Sequence, residues 1–117
     1  MTSPTPRFWR LLLALAALFA VTMAVLPHPP TVPIGSDKYQ HMLAFGVLTI
    51  LSVLAYPKAE LLRTGERLSF LGAMIELVQS VPALHRDCDI MDWVADTSII
   101  IGVLLVVAIS RRRRVAT

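Results

Sequence analysis

Four long apolar runs, separated by breaks rich in proline or charge, constrain the fold of this chain more than any other feature. The first run, residues 11–26, carries no charged residue, and Phe8 and Trp9 precede it as aromatic residues typical of a membrane interface. The other runs cover residues 41–56, 68–83 and 93–110. Because ~17 to 25 apolar residues cross a bilayer, the runs predict transmembrane helices.

Composition agrees with a membrane protein. Hydrophobic residues make up 56% and charged residues 16% of the 117 residues, and the mean hydropathy is +0.67. Soluble domains are about one quarter charged, and a chain of this length suits one helical unit. We therefore predict an all-α polytopic membrane protein. Its fold would be a four-helix transmembrane bundle, a single domain over residues 1–117 with helices at about 8–26, 38–56, 67–83 and 92–110.

Two of the predicted helices have alternatives. The third run is short and carries Glu76 and Gln79, so it is either a full crossing or a re-entrant or interfacial segment. Arg7 and Arg10, ahead of the first run, also resemble the start of a secretory signal peptide. Because no convincing A-x-A cleavage site follows the run, an uncleaved helix is preferred.

The basic residues predict the orientation, because lysine and arginine near helix ends favour the cytoplasmic side. Four crossings with both termini inside place nine of the eleven basic residues in the cytoplasm and leave only Lys38 and Arg86 outside. The nine are Arg7, Arg10, Lys58, Arg63, Arg67 and residues 111–114. The sequence therefore predicts a multi-pass protein of the inner membrane with both termini cytoplasmic.

Four consecutive arginines, residues 111–114, follow the last apolar run. Such a cluster directly after an apolar helix is typical of a topology anchor near anionic lipid. No aromatic or folded platform accompanies it in the sequence, so no nucleic-acid partner is expected. Cys88 is the only cysteine, which excludes an internal disulfide.

Polar residues recur at helical spacing near the predicted outer ends of three helices. The sets are Asp37, His41 and Phe45; Gly72, Glu76, Gln79 and Ser80; and Asp92 and Asp96. Residues three or four apart share one side of a helix. Since a carboxylate at the centre of a membrane helix costs about 2.5 to 3.5 kcal/mol, Glu76, Gln79 and Asp96 should face one another rather than lipid. The pattern predicts one outward-facing polar pocket.

The candidate pocket residues are Asp37, Lys38, His41, Glu76, Gln79, Arg86, Asp92 and Asp96. Lys38 and Arg86 are the cations that would neutralise the pocket, and Arg86 is preferred because its planar fork holds a carboxylate by two hydrogen bonds. His41, beside Asp37 and near carboxylates, is a candidate proton carrier. A purely structural alternative is a polar network that only fixes the register of the helices.

The same residues resemble the VanZ-like family of small bacterial membrane proteins. The matching segments, in the family's order, are "DKYQHMLAF" (residues 37–45), "GAMIELVQ" (72–79), Arg86 and "DWVADT" (92–97). Two positions depart from the family's pattern: Asp96 stands where many members carry Asn, and Ile99 where a small glycine is expected. The resemblance implies a multi-helix membrane protein from a family whose founding member is linked to low-level teicoplanin resistance.

The preferred function is a non-enzymatic one, because the chain has no recognisable nucleophile. The pocket would bind membrane lipid, an envelope precursor or another membrane protein, and the resemblance implies an effect on the envelope or on glycopeptide susceptibility. The alternative is a membrane-embedded enzyme that acts on a lipid-linked envelope substrate, with His41, Glu76 and Asp92 in acid–base roles. The sequence leaves open whether any catalysis takes place.

Two further functions receive less support from the sequence. Metal binding through His41, Glu76, Asp92 and Asp96, or through an acidic loop, matches no defined ligand spacing, so no metal and no other cofactor is expected. The loop residues in question are Asp87, Asp89 and Asp92. A proton-coupled transporter would require an oligomer, since four helices make a thin wall for a pathway.

Overall fold

The computed structural model describes residues 5–25, 37–81 and 90–116, and every regular element in these ranges is a helix. The helices are α1 (Pro6–Val25), α2 (Asp37–Ala55), α3 (Leu61–Gln79) and α4 (Ile90–Ala116). At 1.5 Å per residue, they range from about 28 to about 40 Å in length. The predictions of an all-α chain and of four helices are confirmed over the described residues.

Proline residues mark several of the helix boundaries. Pro6 is the first residue of α1, a position at which its missing N–H group costs nothing. Helix α2 ends at Ala55, two residues before Pro57. Helix α3 ends at Gln79, where the backbone N–H of Ser80 donates to the carbonyl oxygens of the last turn, and Val81 precedes a proline in the sequence.

The bounds of α3 and α4 differ from the prediction. Helix α3 begins at Leu61 rather than near residue 67 and ends at Gln79 rather than near residue 83. Helix α4 continues to Ala116 and includes the four arginines. The reason is that leucine, arginine and glutamate are strong helix formers, so a helix continues beyond the apolar run by which the prediction located it.

One end of the bundle, which we call the basic end, joins the start of α1 to the end of α2 and the end of α4. The Arg10 Nε donates to the carbonyl oxygen of Ala55 at 3.1 Å, and the Arg10 guanidinium lies 4.6 Å from the centre of the Tyr56 ring. Arg111 donates to the carbonyl oxygen of Pro57 at 3.1 Å. The first residues of α1 and the last residues of α4 therefore lie at the same end.

The opposite end, which we call the polar end, joins the last turn of α1 to the last turn of α3. The Gln79 Nε2 donates to the carbonyl oxygen of Ala24 at 2.8 Å. Because α2 and α4 end at the basic end, their first turns lie at the polar end. Successive helices therefore alternate in direction.

The interior of the bundle is about as polar as it is apolar. Over the described residues, the buried apolar side chains are Ala24, Phe45, Leu48, Ala55, Leu68, Ile75 and Ile100, and the buried polar ones are Thr49, Ser52, Glu76, Gln79, Asp92 and Asp96. Thr49 and Ser52 donate to carbonyl oxygens one turn earlier in α2, at 2.6 and 2.7 Å, so their own helix satisfies them.

The outside of the bundle is apolar along much of its length. Leu18, Phe19, Phe70 and Val106 are all about two-thirds exposed. Within the described ranges, two helices are long and apolar enough to cross a membrane: α1, and α4 over Ile90–Val115. Helix α2 adds a shorter apolar stretch, Tyr39–Ala55. Helices α1 and α4 therefore present most of their apolar surface to the surroundings of the protein.

Candidate functional site

Three helices bring ionisable side chains together at the polar end. His41 from α2, Glu76 from α3 and Asp92 from α4 each have a nitrogen or carboxylate oxygen that lies within 4.8 Å of the corresponding atoms of the other two. Glu76 is 5% exposed and Asp92 is 6% exposed. We call these three residues, together with Asp96, the polar cluster.

Asp96 completes the cluster on the side of the His41 ring. The Nδ1 atom of His41 lies 3.9 Å from the Oδ2 atom of Asp96, and the two side chains are 10% and 1% exposed. This distance is too long for a hydrogen bond but short enough for a strong electrostatic interaction when the ring is protonated. Asp92 and Asp96 are one turn apart on α4, so the helix presents both carboxylates on one side.

Gly72 lets the three helices approach one another beside the cluster. A Cβ atom built on Gly72 would lie 3.4 Å from Cδ1 of Trp93, 3.5 Å from Cζ of Phe45 and 3.6 Å from Oδ2 of Asp96. Phe45 is one turn after His41 on α2 and is 2% exposed. Because α2 and α4 both pack against the backbone of α3 at Gly72, His41 on α2 and Asp96 on α4 lie close to each other.

Hydrogen bonds between α3 and α4 fix the rotation of α4. The indole Nε1 of Trp93 donates to the carbonyl oxygen of Ser69 at 3.0 Å, and the hydroxyl groups of Ser69 and Thr97 are 2.9 Å apart. Trp93 and Thr97 each follow an aspartate of the cluster directly in the sequence. These contacts hold α4 with Asp92 and Asp96 turned into the bundle.

Gln79 connects the cluster region to α1. It is 1% exposed, lies one turn beyond Glu76 on α3, and donates through Nε2 to the carbonyl oxygen of Ala24. The last four carbonyl groups of a helix have no partner within it, so this bond satisfies one of those at the end of α1. The Oε1 atom of Gln79 has no hydrogen-bond partner in the described part of the chain.

The predicted pocket residues have different outcomes. The structure brings His41, Glu76, Asp92 and Asp96 together, and Gln79 is buried nearby with its amide directed at α1. Asp37 and Lys38 are the first two residues of α2, but their side chains lie outside the described part. Arg86 and the loop residues Asp87, Cys88 and Asp89 also lie outside the described residues. Ser80, predicted to share the side of Glu76, is exposed.

Three contributors to the site were not predicted from the sequence. Ser69 and Thr97 are ordinary polar residues within apolar runs, and only their mutual contact distinguishes them. The Ala24 carbonyl belongs to the backbone and therefore carries no signal in the side-chain pattern. The sequence could only have indicated it in a general way, because the carbonyl groups in the last turn of any helix need partners.

A groove of about 390 Å³ lies elsewhere, between α3 and α4. Its lining includes Gly65 and Ile100, with Glu66, Ser69 and Thr97 as polar residues, and none of the cluster residues. A Cβ atom on Gly65 would lie only 2.9 Å from Cδ1 of Leu104, so the helices already pack closely at this point.

No family model, no curated protein and no solved structure matches this chain. The resemblance to the VanZ-like family therefore rests on the quoted residues and stays a prediction. The candidate site is defined by its geometry: a histidine and three carboxylates, largely withdrawn from solvent, on three helices. Such a set can transfer protons, bind a cationic group or coordinate a metal ion.

Proposed function

We propose that this chain is a small multi-pass membrane protein of the VanZ-like type, whose polar cluster binds the polar group of an envelope component or of a membrane partner. The observation that carries the proposal is the buried cluster itself. His41, Glu76 and Asp92 approach within 4.8 Å in a bundle whose outer surface is largely apolar. Ionisable residues inside a membrane protein are expensive to bury and usually serve binding or transport.

The distribution of charge supports an outward-facing site. Nine basic residues lie on the helices and the loop of the basic end, whereas the carboxylates of the cluster lie at the polar end. Under the positive-inside rule, the basic end faces the cytoplasm. The polar end then faces the outside of the inner membrane, where lipid head groups and envelope precursors are available to the cluster.

Thiol labelling of Cys88 in intact cells tests the orientation. Cys88 precedes α4 in the sequence by two residues and is the only cysteine, so a membrane-impermeant maleimide reports one position. We expect labelling in intact cells. As a matched control, a Thr117→Cys, Cys88→Ser variant should be labelled only after lysis. The reverse pattern would contradict an outward-facing cluster.

Co-purification of envelope lipid tests the binding. Native mass spectrometry of the detergent-extracted protein should detect a bound envelope lipid or lipid-linked precursor, and Glu76→Gln should lower its occupancy several-fold. Glu66→Gln is the control, because Glu66 is an exposed glutamate on the same helix. Equal occupancy in the parent and in Glu76→Gln, with both proteins folded, would reject the cluster as the binding site.

The proximity of His41 to three carboxylates also favours a second candidate, an enzyme acting on a lipid-linked envelope substrate. A histidine and a carboxylate in a site of low water content are a common acid–base pair. Purified protein would be incubated with lipid-linked glycans and phosphates, and His41→Gln would abolish any turnover. Absence of turnover with every substrate of this class would exclude the enzymatic candidate and leave the binding function.

A further inference from the structure

We propose that His41, Glu76 and Asp92 bind one divalent transition-metal ion, with Asp96 holding the His41 ring in place. The proposal deepens the proposed function and rests on it in one respect: the ion would supply the positive charge that attracts an anionic head group. The sequence alone did not favour a metal, because the three residues are separated by 34 and 15 intervening positions and match no known ligand spacing. The fold removes that objection by bringing their ligand atoms within 4.8 Å.

The separations between the three ligand atoms suit a small ion after these atoms move slightly closer together. Zinc binds nitrogen and oxygen ligands at about 2.0 to 2.2 Å, which places ligand atoms roughly 3.3 Å apart around a tetrahedral ion. The present limit of 4.8 Å therefore requires the atoms to move inward by about 1.5 Å or less. In the proposed site, rotation about the side-chain bonds of Glu76 and Asp92 would supply this movement.

The three ligands come from three helices with fixed packing. Phe45 and Trp93 contact the position of Gly72 from α2 and α4, and Trp93 also donates to the backbone of α3. The ligand-bearing turns are therefore held by apolar and hydrogen-bond contacts that do not involve the ligands. A site built on rigid helices retains its geometry when a single ligand is replaced.

Asp96 has the position of an orienting carboxylate. Histidine ligands commonly donate their second ring N–H to a carboxylate, which fixes the ring and strengthens the metal bond. Oδ2 of Asp96 lies 3.9 Å from Nδ1 of His41, and the Asp96 side chain is 1% exposed. Its other oxygen, Oδ1, has no hydrogen-bond partner among the described residues. In the proposed site, Nδ1 would donate to Asp96, and Nε2 would then be the nitrogen that binds the ion.

Charge favours a cation at this position. Glu76, Asp92 and Asp96 are all 6% exposed or less, and burying three carboxylates is unfavourable unless positive charge compensates them. A divalent ion compensates two charges in one position. Arg86 and Lys38 are the other candidate cations from the sequence. The competing explanation is therefore that one of them, rather than a metal ion, neutralises the carboxylates.

The ligand types indicate the class of ion. One imidazole nitrogen with carboxylate oxygens suits zinc, manganese or ferrous iron, whereas magnesium and calcium prefer oxygen ligands alone. Three protein ligands also leave a position open for water or for an oxygen of a bound head group. Zinc is the first probe because it is not redox-active, and magnesium is the control ion.

The test uses full-length, tag-free protein carrying Cys88→Ser, so that neither a tag nor the thiol binds zinc. After chelator treatment and dialysis, zinc is titrated and measured by elemental analysis and calorimetry. We expect one zinc per chain and no comparable binding of magnesium. His41→Gln and Glu76→Gln should weaken zinc binding at least about 100-fold, and Asp96→Asn by about 10- to 100-fold. Glu66→Gln, on the exposed side of α3, should bind like the parent.

Two results would overturn the metal site. One is a parent protein that binds no zinc, and the other is equal binding by the parent and by His41→Gln. If the His41 variant does not fold, X-ray absorption of the zinc-loaded parent decides, because the site requires nitrogen and oxygen neighbours at about 2.0 Å with an imidazole signature. A shell without imidazole would reject His41.

The outcomes also separate this inference from the proposed function. Outward labelling of Cys88 together with lipid co-purification that depends on Glu76, but without zinc binding, would leave the proposed function standing and reject only the metal. Zinc binding that depends on His41, together with no lipid co-purification, would keep the metal and reject the envelope ligand. Arg86→Gln distinguishes the competing ion pair: it should leave the zinc stoichiometry at one.

Discussion

Gln79 and Ala24 are 55 positions apart in the sequence and are joined by a single hydrogen bond of 2.8 Å. Gln79 is 1% exposed, so water does not compete for its amide. The bond satisfies a carbonyl group that α1 cannot satisfy itself. A buried acceptor that loses its donor is destabilised by about 1 to 3 kcal/mol, which makes this side chain important for the attachment of α1.

Replacing Gln79 with methionine tests that bond. Methionine keeps the length and most of the volume of glutamine but has no N–H group, so Gln79→Met should lower the free energy of unfolding by about 1 to 2 kcal/mol. The measurement is the thermal unfolding midpoint of the protein in detergent. Ser80→Ala is the matched control, because Ser80 is the exposed next residue and bonds only within its own turn. Equal midpoints for both variants would show that α1 does not depend on Gln79.

Helix packing around the site depends on where α3 has no side chain. A Cβ atom at Gly72 would already touch Trp93 and Phe45, whereas a Cβ atom at Gly102 on α4 would have nothing within 4 Å. The same substitution therefore has different consequences at the two glycines. Small residues at helix contacts are the usual means by which membrane helices approach closely.

Gly72→Leu should force α2 and α4 away from α3. The added side chain has no space among Trp93, Phe45 and Asp96, and overpacking of this kind destabilises by about 1 to 3 kcal/mol. Gly102→Leu should leave the unfolding midpoint within about 0.5 kcal/mol of the parent value. Folded yield after detergent extraction and the unfolding midpoint provide the measurements. Comparable losses from both substitutions would contradict the contact at Gly72.

The sequence predicted which elements exist better than where they end. The apolar runs located α1, α2 and α4, because hydrophobicity is what distinguishes these helices. The start of α3 was misplaced by six residues, since Arg63, Glu66 and Arg67 favour helix as strongly as leucine does but interrupt the apolar run.

The site was predictable only in part, and for a similar reason. Helical spacing selected Glu76, Gln79, Asp92 and Asp96, and all four side chains are buried in the bundle. It also selected Ser80, which is exposed. Gln79 and Ser80 lie about 100° apart around the helix, and the spacing rule does not say where the buried side of the helix ends. Distances between helices depend on tertiary packing, so the sequence placed His41 and Asp92 in one pocket but could not predict how closely their ligand atoms approach.

At the scale of the whole molecule, the bundle is elongated along one axis, and its basic residues are concentrated at one end of that axis. The longest dimension is 53 Å and the other two are 26 and 25 Å. A bilayer with its head-group regions is about 40 to 45 Å thick, so an upright bundle of this length reaches both surfaces. The contacts of Arg10 and Arg111 place the start of α1 and the end of α4 at the same end of the bundle.

Reporter fusions test this arrangement directly. Green fluorescent protein, which fluoresces in the cytoplasm, and alkaline phosphatase, which is active outside it, would be fused separately to residue 1 and residue 117. In the proposed arrangement, four crossings and the positive-inside rule would place both ends in the cytoplasm. We therefore expect fluorescence from both fusions with green fluorescent protein and no phosphatase activity from either terminus. Opposite sides for the two ends would mean that one of the helices does not cross.

The sharing of one polar site among several helices has a consequence for how such a chain is synthesised. Helix α3 carries Arg63, Glu66, Arg67 and Glu76, and a charged residue at a helix centre opposes partition into lipid by about 2.5 to 3.5 kcal/mol. The cluster that receives Glu76 also needs Asp92, which the ribosome adds sixteen residues later. In the proposed membrane arrangement, α3 would therefore wait at the surface until α4 emerges, and the last helix translated would complete the insertion of the one before it.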